Sequence, residues 1–184
     1  MAFPNCDAPK RNNESFLRQD DEEYHTDETI LTKIPGLDFI GSFPIDYMHL
    51  VCLGVVRTLM YLWNFGPVPI KLPSFVINNI SEELSSVKCC IPLEFNKQPR
   101  SLNEIKRWKA TEFSQFLLYT GPVTLKIAFD KDYKSLYNHF LTLSIAISIL
   151  LNPKFSKDAS FVSYAKSLLL HFVQSLKLYV ANNI

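Results

Sequence analysis

The segment Phe43 to Trp63, FPIDYMHLVCLGVVRTLMYLW, constrains this chain more than any other stretch. Asp46 and His49 interrupt an otherwise apolar run there, at the start of what reads as a helix. The approach through Phe39, Ile40, Phe43, Pro44 and Ile45 reads as a short strand, and from Tyr47 the apolar period becomes helical. Asp46 therefore falls at a strand-to-helix junction. On a helical wheel Asp46, His49, Leu50, Leu53 and Arg57 lie within about 100° of one another, so a carboxylate, an imidazole and a guanidinium share one face. Such a face can hold a metal or a phosphate. Asp46 also meets the needs of a helix N-cap, whose carboxylate accepts from N–H groups two or three residues on. An isolated His is ordinarily a packed or hydrogen-bonded imidazole. The residues alone leave both readings open.

At 184 residues the chain is long enough for one ordinary domain, and 47% apolar residues are enough for a core. The net charge of +1 conceals an asymmetry. Residues 1 to 46 carry ten acids against four Lys or Arg, and residues 47 to 184 carry eight against fifteen. A basic balance of that size is compatible with nucleic acid, although a Lys- and Arg-bearing surface also serves solubility. Cys6, Cys52, Cys89 and Cys90 show no CxxC spacing and no zinc-finger His, and Cys52, Cys89 and Cys90 read as reduced, buried thiols of an intracellular protein. No secretory signal is evident, and no uninterrupted apolar run reaches the roughly 20 residues that span a bilayer. An intracellular, non-membrane protein is expected.

Residues 1 to 28 are polar, with acidic runs at 20–23 and 27–28, and are expected to be solvated and poorly ordered. Asn64 to Pro73 carries a Gly and three prolines and breaks the helix. A helix is predicted from Ser74 to about Val87, then an extended linker through Pro92 and Pro99. Ser101 and Glu104 form a capping-box pattern opening a helix that Gly121 and Pro122 would stop. Val123 to Phe129 could add a strand. Residues from about 133 to 151 predict a helix buried on most sides, and Asp158 caps a last helix with an apolar stripe about 140° wide. These two helices predict a hairpin, and His139 and His171 on them are read as structural. The fold class expected is mainly α, with a short strand before Asp46.

Lys97, Arg100, Lys106, Arg107 and Lys109 place five positive charges in thirteen residues, opposed only by Glu104. Phosphates favour such a cluster, and it serves equally as a solvated face. Trp108 could stack on a base but belongs to the apolar arc and is read as core. Glu112 also points into that arc, where a carboxylate needs a cation. Lys109 and Arg57 are its expected partners, with a metal-ligand or catalytic role as the other reading. No phosphate-cradling Gly-rich loop and no serine-hydrolase elbow occurs.

PIDYMHLVCLGVVRTL, IPLEFNKQPRSLNEIKRWKATEFSQFLLYTGPV and YNHFLTLSIAISIL resemble the transposase-derived proteins of animal genomes related to the CACTA group of DNA transposons. The resemblance covers the chain from about Asn12 onward. It implies an RNase H-like core in which three acids bind divalent metal, with a D-x-x-H at the second. Asp46 matches that second acid and metal ligand, and His49 its catalytic companion. By the same resemblance the chain is nuclear and binds DNA through the basic cluster. Residues 37–64 would be a piece of the RNase H-like core, and residues 74–184 the helical insertion within a partial catalytic region spanning 29–184. The family pattern also has an acid on an upstream strand and one near a later FxFE, and neither motif occurs here. The chain thus reads as the middle of a transposase. Two-metal phosphoryl transfer with Mg²⁺ or Mn²⁺ belongs to a complete relative, and this chain alone is expected to bind neither metal and to be inactive. The alternative is a non-catalytic helical module that binds DNA or protein. The amphipathic last helix adds an expectation of self-association.

Overall fold

The computed structural model describes residues 9–20, 27, 29–68, 70–95 and 97–181. The chain forms two compact units, Met1–Asp46 and Tyr47–Ile184. Their boundary coincides with the change of charge sign noted above. The fold is mainly helical, and the described residues contain no strand.

In the first unit α1 (Asn13–Leu17) stands inside the polar segment expected to lack order. Asn12 caps it: its side-chain oxygen accepts from Ser15 N at 2.8 Å, while Asn12 N donates to Ser15 Oγ at 3.1 Å. The next residue, Asn13, accepts from Phe39 N at 2.8 Å, and Phe16 stacks on Phe39 with centroids 4.8 Å apart. A 3-10 turn at Ile30–Lys33 follows, with Gly36 at φ +75° supplying the left-handed turn beyond it. The strand expected before Asp46 is therefore absent from the described residues. Asp38 accepts from the Ile40 N–H at 2.9 Å, and hydrogen bonds from the Gly41 and Ile40 backbone hold its carboxyl below the usual range. A side chain that closes the backbone into a turn competes with any extended pairing there. Asp21, Glu22, Glu23 and Glu28 of the acidic runs lie outside the described residues.

The second unit begins with one long helix in two windings. Met48–Val56 is π-helical and continues without interruption as α2 (Arg57–Phe65). The i→i+5 bonding widens the turn, so a wheel drawn at 100° per residue does not apply before Arg57. Turns through Gly66 and Pro67 lead to α3 (Ser74–Ser86), which buries Val76, Ile77, Ile80, Ser81 and Leu84 on one stripe, as its 3.6 period predicts. Cys52 is buried as expected, but Cys89 and Cys90 are exposed, in a 3-10 turn that follows α3 with their sulfurs 3.8 Å apart. They lie beyond the last buried residue of that stripe, so the helix carries them past the core.

The helix expected from Ser101 is divided. Ser101 does cap, accepting from Asn103 N at 3.1 Å, but the winding is 3-10 over Leu102–Arg107 and breaks at Trp108. A second helix then starts: α4 (Ala110–Gln115), a π segment at Phe116–Thr120, and α5 (Gly121–Ala128). Gly121 and Pro122 do not stop it, and Val123 to Phe129 is helix where a strand was considered. The π winding explains why. Gly121 N donates to Phe116 O, five residues back. The missing N–H of Pro122 leaves Leu117 O to another donor, which Ser144 Oγ supplies at 2.8 Å. Tyr137 Oη donates to Pro122 O at 3.2 Å. Gly121 itself is needed for close approach, since an added Cβ would lie 2.7 Å from the Phe140 ring.

A hairpin of α6 (Lys134–Leu151) and α7 (Ala159–Ala181) completes the unit, as the sequence predicts. Asp158 caps α7, its carboxylate accepting from Ser160 N at 2.8 Å. Rings link the elements in series. Trp108 packs on Phe113 and Phe116, Phe116 on Phe140 at 5.4 Å, and Phe140 on Trp63 at 6.1 Å. Trp108 is core, as read. Met48–Phe65 and Lys131–Leu151 are long and apolar enough to cross a membrane by length and composition. In this fold Trp63 and Met60 of the first and Phe140 and Leu143 of the second belong to the core.

Candidate nucleic-acid interface

The basic segment is positioned by one partly buried ion pair. Glu112 is 4% exposed and meets Arg100 in a two-pronged bridge, Nε to Oε1 at 2.6 Å and Nη2 to Oε2 at 2.8 Å. Its cationic partner was foreseen, but the partner is Arg100 and not Lys109 or Arg57. The break at Trp108 is the reason. With Glu112 at the third position of α4, its carboxylate turns back to accept the Lys109 backbone N–H at 2.8 Å, and the preceding extended segment brings Arg100 alongside. Arg100 Nη2 also donates to Arg107 O at 2.7 Å, and Nη1 lies 3.6 Å from Glu104. Hydrogen bonding to Glu112 raises the Arg100 pKa further. The guanidinium planar fork suits this geometry, and a carboxylate so engaged is structural.

The consequence for the cluster is a division of labour. Arg100 is committed to Glu112, while Lys97, Lys106, Arg107 and Lys109 are exposed. Because the ion pair holds the Arg107 carbonyl and the Lys109 N–H, it fixes the backbone beneath two of these cations. Lys106 Nζ stands 4.8 Å above the centre of the Phe65 ring.

Asp46 is the non-helical residue just before helical Tyr47, and both it and His49 are exposed. Asp46 closes the first unit and His49 lies in the second. Among the described residues no three His, Cys, Asp or Glu side chains gather into a metal-binding group. Glu112, the buried acid, has its two oxygens occupied by Arg100 and Lys109. One carboxylate and one imidazole do not fit a pair of Mg²⁺ ions, which take oxygen ligands in octahedral sets. His139 stacks on Phe172 at 4.2 Å and its Nε2 lies 3.0 Å from Phe172 O, while exposed His171 contacts Ser175.

Two features escaped the sequence reading. Lys126, Lys131 and Lys134 ring a recess of about 340 Å³ beside Phe129 and Tyr137, opposed by Asp130. The signal was present as three lysines in the nine residues 126–134. The second is a cleft of about 290 Å³ between Met48, at the start of the first π segment, and Tyr119, in the second. Ser114 and Gln115 line it, and Ser114 Oγ is 2.9 Å from Tyr47 Oη. Burial pushes the Tyr47 phenol well above its ordinary pKa, so it stays a neutral hydrogen-bonding group. No period or motif marks this cleft, whose lining comes from both π segments, from α4 and from Glu94, Phe95 and Lys97.

No family model, curated protein or solved structure matches the chain.

Proposed function

We propose that this chain is a nucleic-acid-binding helical module of transposase ancestry, related to the CACTA group, that does not cut DNA by itself. The observation that carries the reading is the basic face of Lys97, Lys106, Arg107 and Lys109, held on a backbone that the Arg100–Glu112 pair fixes. Pre-positioned cations displace counterions from DNA without first ordering a loop. On this reading residues 74–184 correspond to the helical insertion of an RNase H-like transposase, and the protein acts in the nucleus. Asp46 and His49 would be what remains of a metal-dependent centre whose other acids are not among the residues that gather here. The chain binds duplex DNA and leaves it intact.

Titrating a fluorescent duplex against the protein at several salt concentrations tests the binding. The logarithm of affinity should fall with the logarithm of salt at about 0.9 per phosphate contacted, and Lys106→Ala with Arg107→Ala should lower that slope by about 2. Affinity that ignores both salt and the double substitution would defeat the reading. A supercoiled-plasmid nicking assay with Mg²⁺ or Mn²⁺ tests the second half. Nicking that disappears in Asp46→Ala would restore the enzyme.

A protein-binding role is favoured by one other observation. Leu150, Val162, Leu169, Leu170 and Val173 line an apolar groove of about 280 Å³ on the α6–α7 hairpin, with Lys166 at its edge. Sedimentation at two protein concentrations separates self-association through this groove from a monomer.

A further inference from the structure

We infer that Cys89 and Cys90 are a modification site, at which hydrogen peroxide converts two adjacent thiols into a disulfide that a small thiol reopens. Neighbours in a helical winding ordinarily diverge, since each residue turns the chain by about 100° to 120°. In the 3-10 turn Val87–Cys90 the two sulfurs instead meet at 3.8 Å. Both are exposed, and Cys89 Sγ donates to Ser86 O at 3.5 Å. A thiol has one proton, so with that proton directed at Ser86 the contact between the sulfurs is a hydrogen bond from Cys90 to Cys89. This bond, and the charge of Cys89 once ionised, push the Cys90 thiol above its ordinary pKa. Cys52 is placed differently: it is 0% exposed within the Met48–Val56 segment, out of reach of an oxidant in solvent.

The chemistry follows from having the second thiol in place before the first reacts. The Cys89 thiolate attacks one peroxide oxygen, the O–O bond breaks, and hydroxide leaves and takes up a proton as water. Cys89 then carries a sulfenic acid. Cys90 Sγ attacks the Cys89 sulfur, the S–O bond breaks, and a second hydroxide leaves with the proton that Cys90 gives up. Two thiols and one peroxide thus yield one disulfide and two waters, each sulfur losing one electron and the peroxide taking both. A thiol of raised pKa is the stronger nucleophile once ionised, which suits Cys90 to the second step. An isolated sulfenic acid is open to further oxidation, whereas this one has its resolving sulfur already in contact. The same closeness makes the bond easy to undo. Neighbouring Cα atoms lie about 3.8 Å apart across a trans peptide, short of the roughly 4.4–6.8 Å that disulfides usually span. Strained and exposed disulfides are the readily reduced ones. Two equivalents of a small thiol restore both cysteines and are themselves joined as a disulfide.

This inference goes beyond the nucleic-acid reading and does not depend on it. To test it, the full chain is reduced, freed of reductant, treated with a slight excess of hydrogen peroxide, unfolded, blocked with N-ethylmaleimide and mapped by peptide mass spectrometry. Cys89 and Cys90 should lose maleimide labelling together, and the peptide that holds both should be lighter by two hydrogens. The chain should stay monomeric on a non-reducing denaturing gel, Cys52 should remain labelled, and dithiothreitol before blocking should restore both labels. In Cys90→Ser, a change at an exposed position, the same treatment should leave a sulfenic acid at Cys89 that dimedone captures, while the unsubstituted chain yields little adduct. A bridge from either sulfur to Cys6 or to a second chain, sulfinic acid at Cys89 without a disulfide, or full labelling of both cysteines after peroxide would overturn the inference. Equal dimedone capture in the two chains would overturn it as well, since Cys90 would then not be the resolving thiol.

Discussion

The helix run from Ala110 to Ala128 and the α6–α7 hairpin are both strongly apolar, yet they are held in different ways. In the first, several buried polar groups sit at set positions with named partners, although the Gln115 amide nitrogen is buried without one. Glu112 meets Arg100, Thr124 Oγ1 donates to Thr120 O at 2.9 Å, and Leu117 O accepts from Ser144. In the hairpin, contact is mostly apolar, centred on Ala165 and Phe172, and much of the apolar stripe of α7 is open. Phe161, Val162 and Val173 of that stripe are exposed, as are Leu170 beside it and Ile145, Leu150 and Leu151 on α6. Apolar area supplies stability with little demand on register, whereas a buried polar pair is satisfied in one arrangement only. The first region should therefore be the rigid frame of the unit, and the hairpin the part able to repack.

Substitutions that probe this contrast should differ in size. Glu112→Gln leaves the partly buried Arg100 guanidinium without its counterion and should cost about 3 kcal/mol by urea unfolding, while the paired change Arg100→Met with Glu112→Leu should cost much less. A Glu112→Gln cost no larger than that of a surface change would break the comparison. Next, Gly121→Ala should cost about 2 kcal/mol, because its methyl meets the Phe140 ring in a frame that cannot yield. Ser144→Ala should cost about 1 kcal/mol by stranding Leu117 O. Pro122→Ala in the same chain should recover part of that loss by restoring an N–H, and a strictly additive double variant would show that Ser144 acts through packing alone.

The smallest effect belongs to the hairpin. Burial lowers the His139 pKa, with His171 acting in the same direction and the hydrogen bond to Phe172 opposing it. The unfolded chain then binds a proton before the native state does, so stability is full above the ordinary His range and declines as pH falls through about 6.5. Thermal unfolding followed from pH 7.5 to 5 should show this decline, and His139→Gln should remove that component.

The sequence was legible where the winding is ordinary. The Ser74 helix, the hairpin, the Asp158 cap, the burial of Trp108 and the need of Glu112 for a cation all follow from a 3.6-residue period and from the cost of burying charge. It was not legible at Met48–Val56 and Phe116–Thr120, where i→i+5 bonding has no compositional signature. The Gly121–Pro122 pair looked like a stop because the rule assumes an α-helical ladder. The apolar approach to Asp46 looked like a strand because isolated β-branched and aromatic residues do not reveal that Asp38 will turn the backbone. Cys89 and Cys90 were misplaced because a helix end, more than residue type, decides which side chains clear the core.

The π segment at Phe116–Thr120 also fixes the phase between the helices it joins. Its wide turn takes up one residue more than an α-helical turn, so the ladder resumes in α5 with Leu125 and Thr124 facing the interior. Removing one residue from this segment would permit an uninterrupted α-helix and would leave α5 close to its present phase. What the deletion would take away is local: the carbonyl of Leu117 that Ser144 Oγ now meets and the close approach of Gly121 to the Phe140 ring both belong to the wide turn. Among chains sharing this architecture, loss of one residue between Gln115 and Gly121 should therefore be accompanied by changes at the positions of Ser144 and Pro122, a coupling of length to identity that no single residue carries.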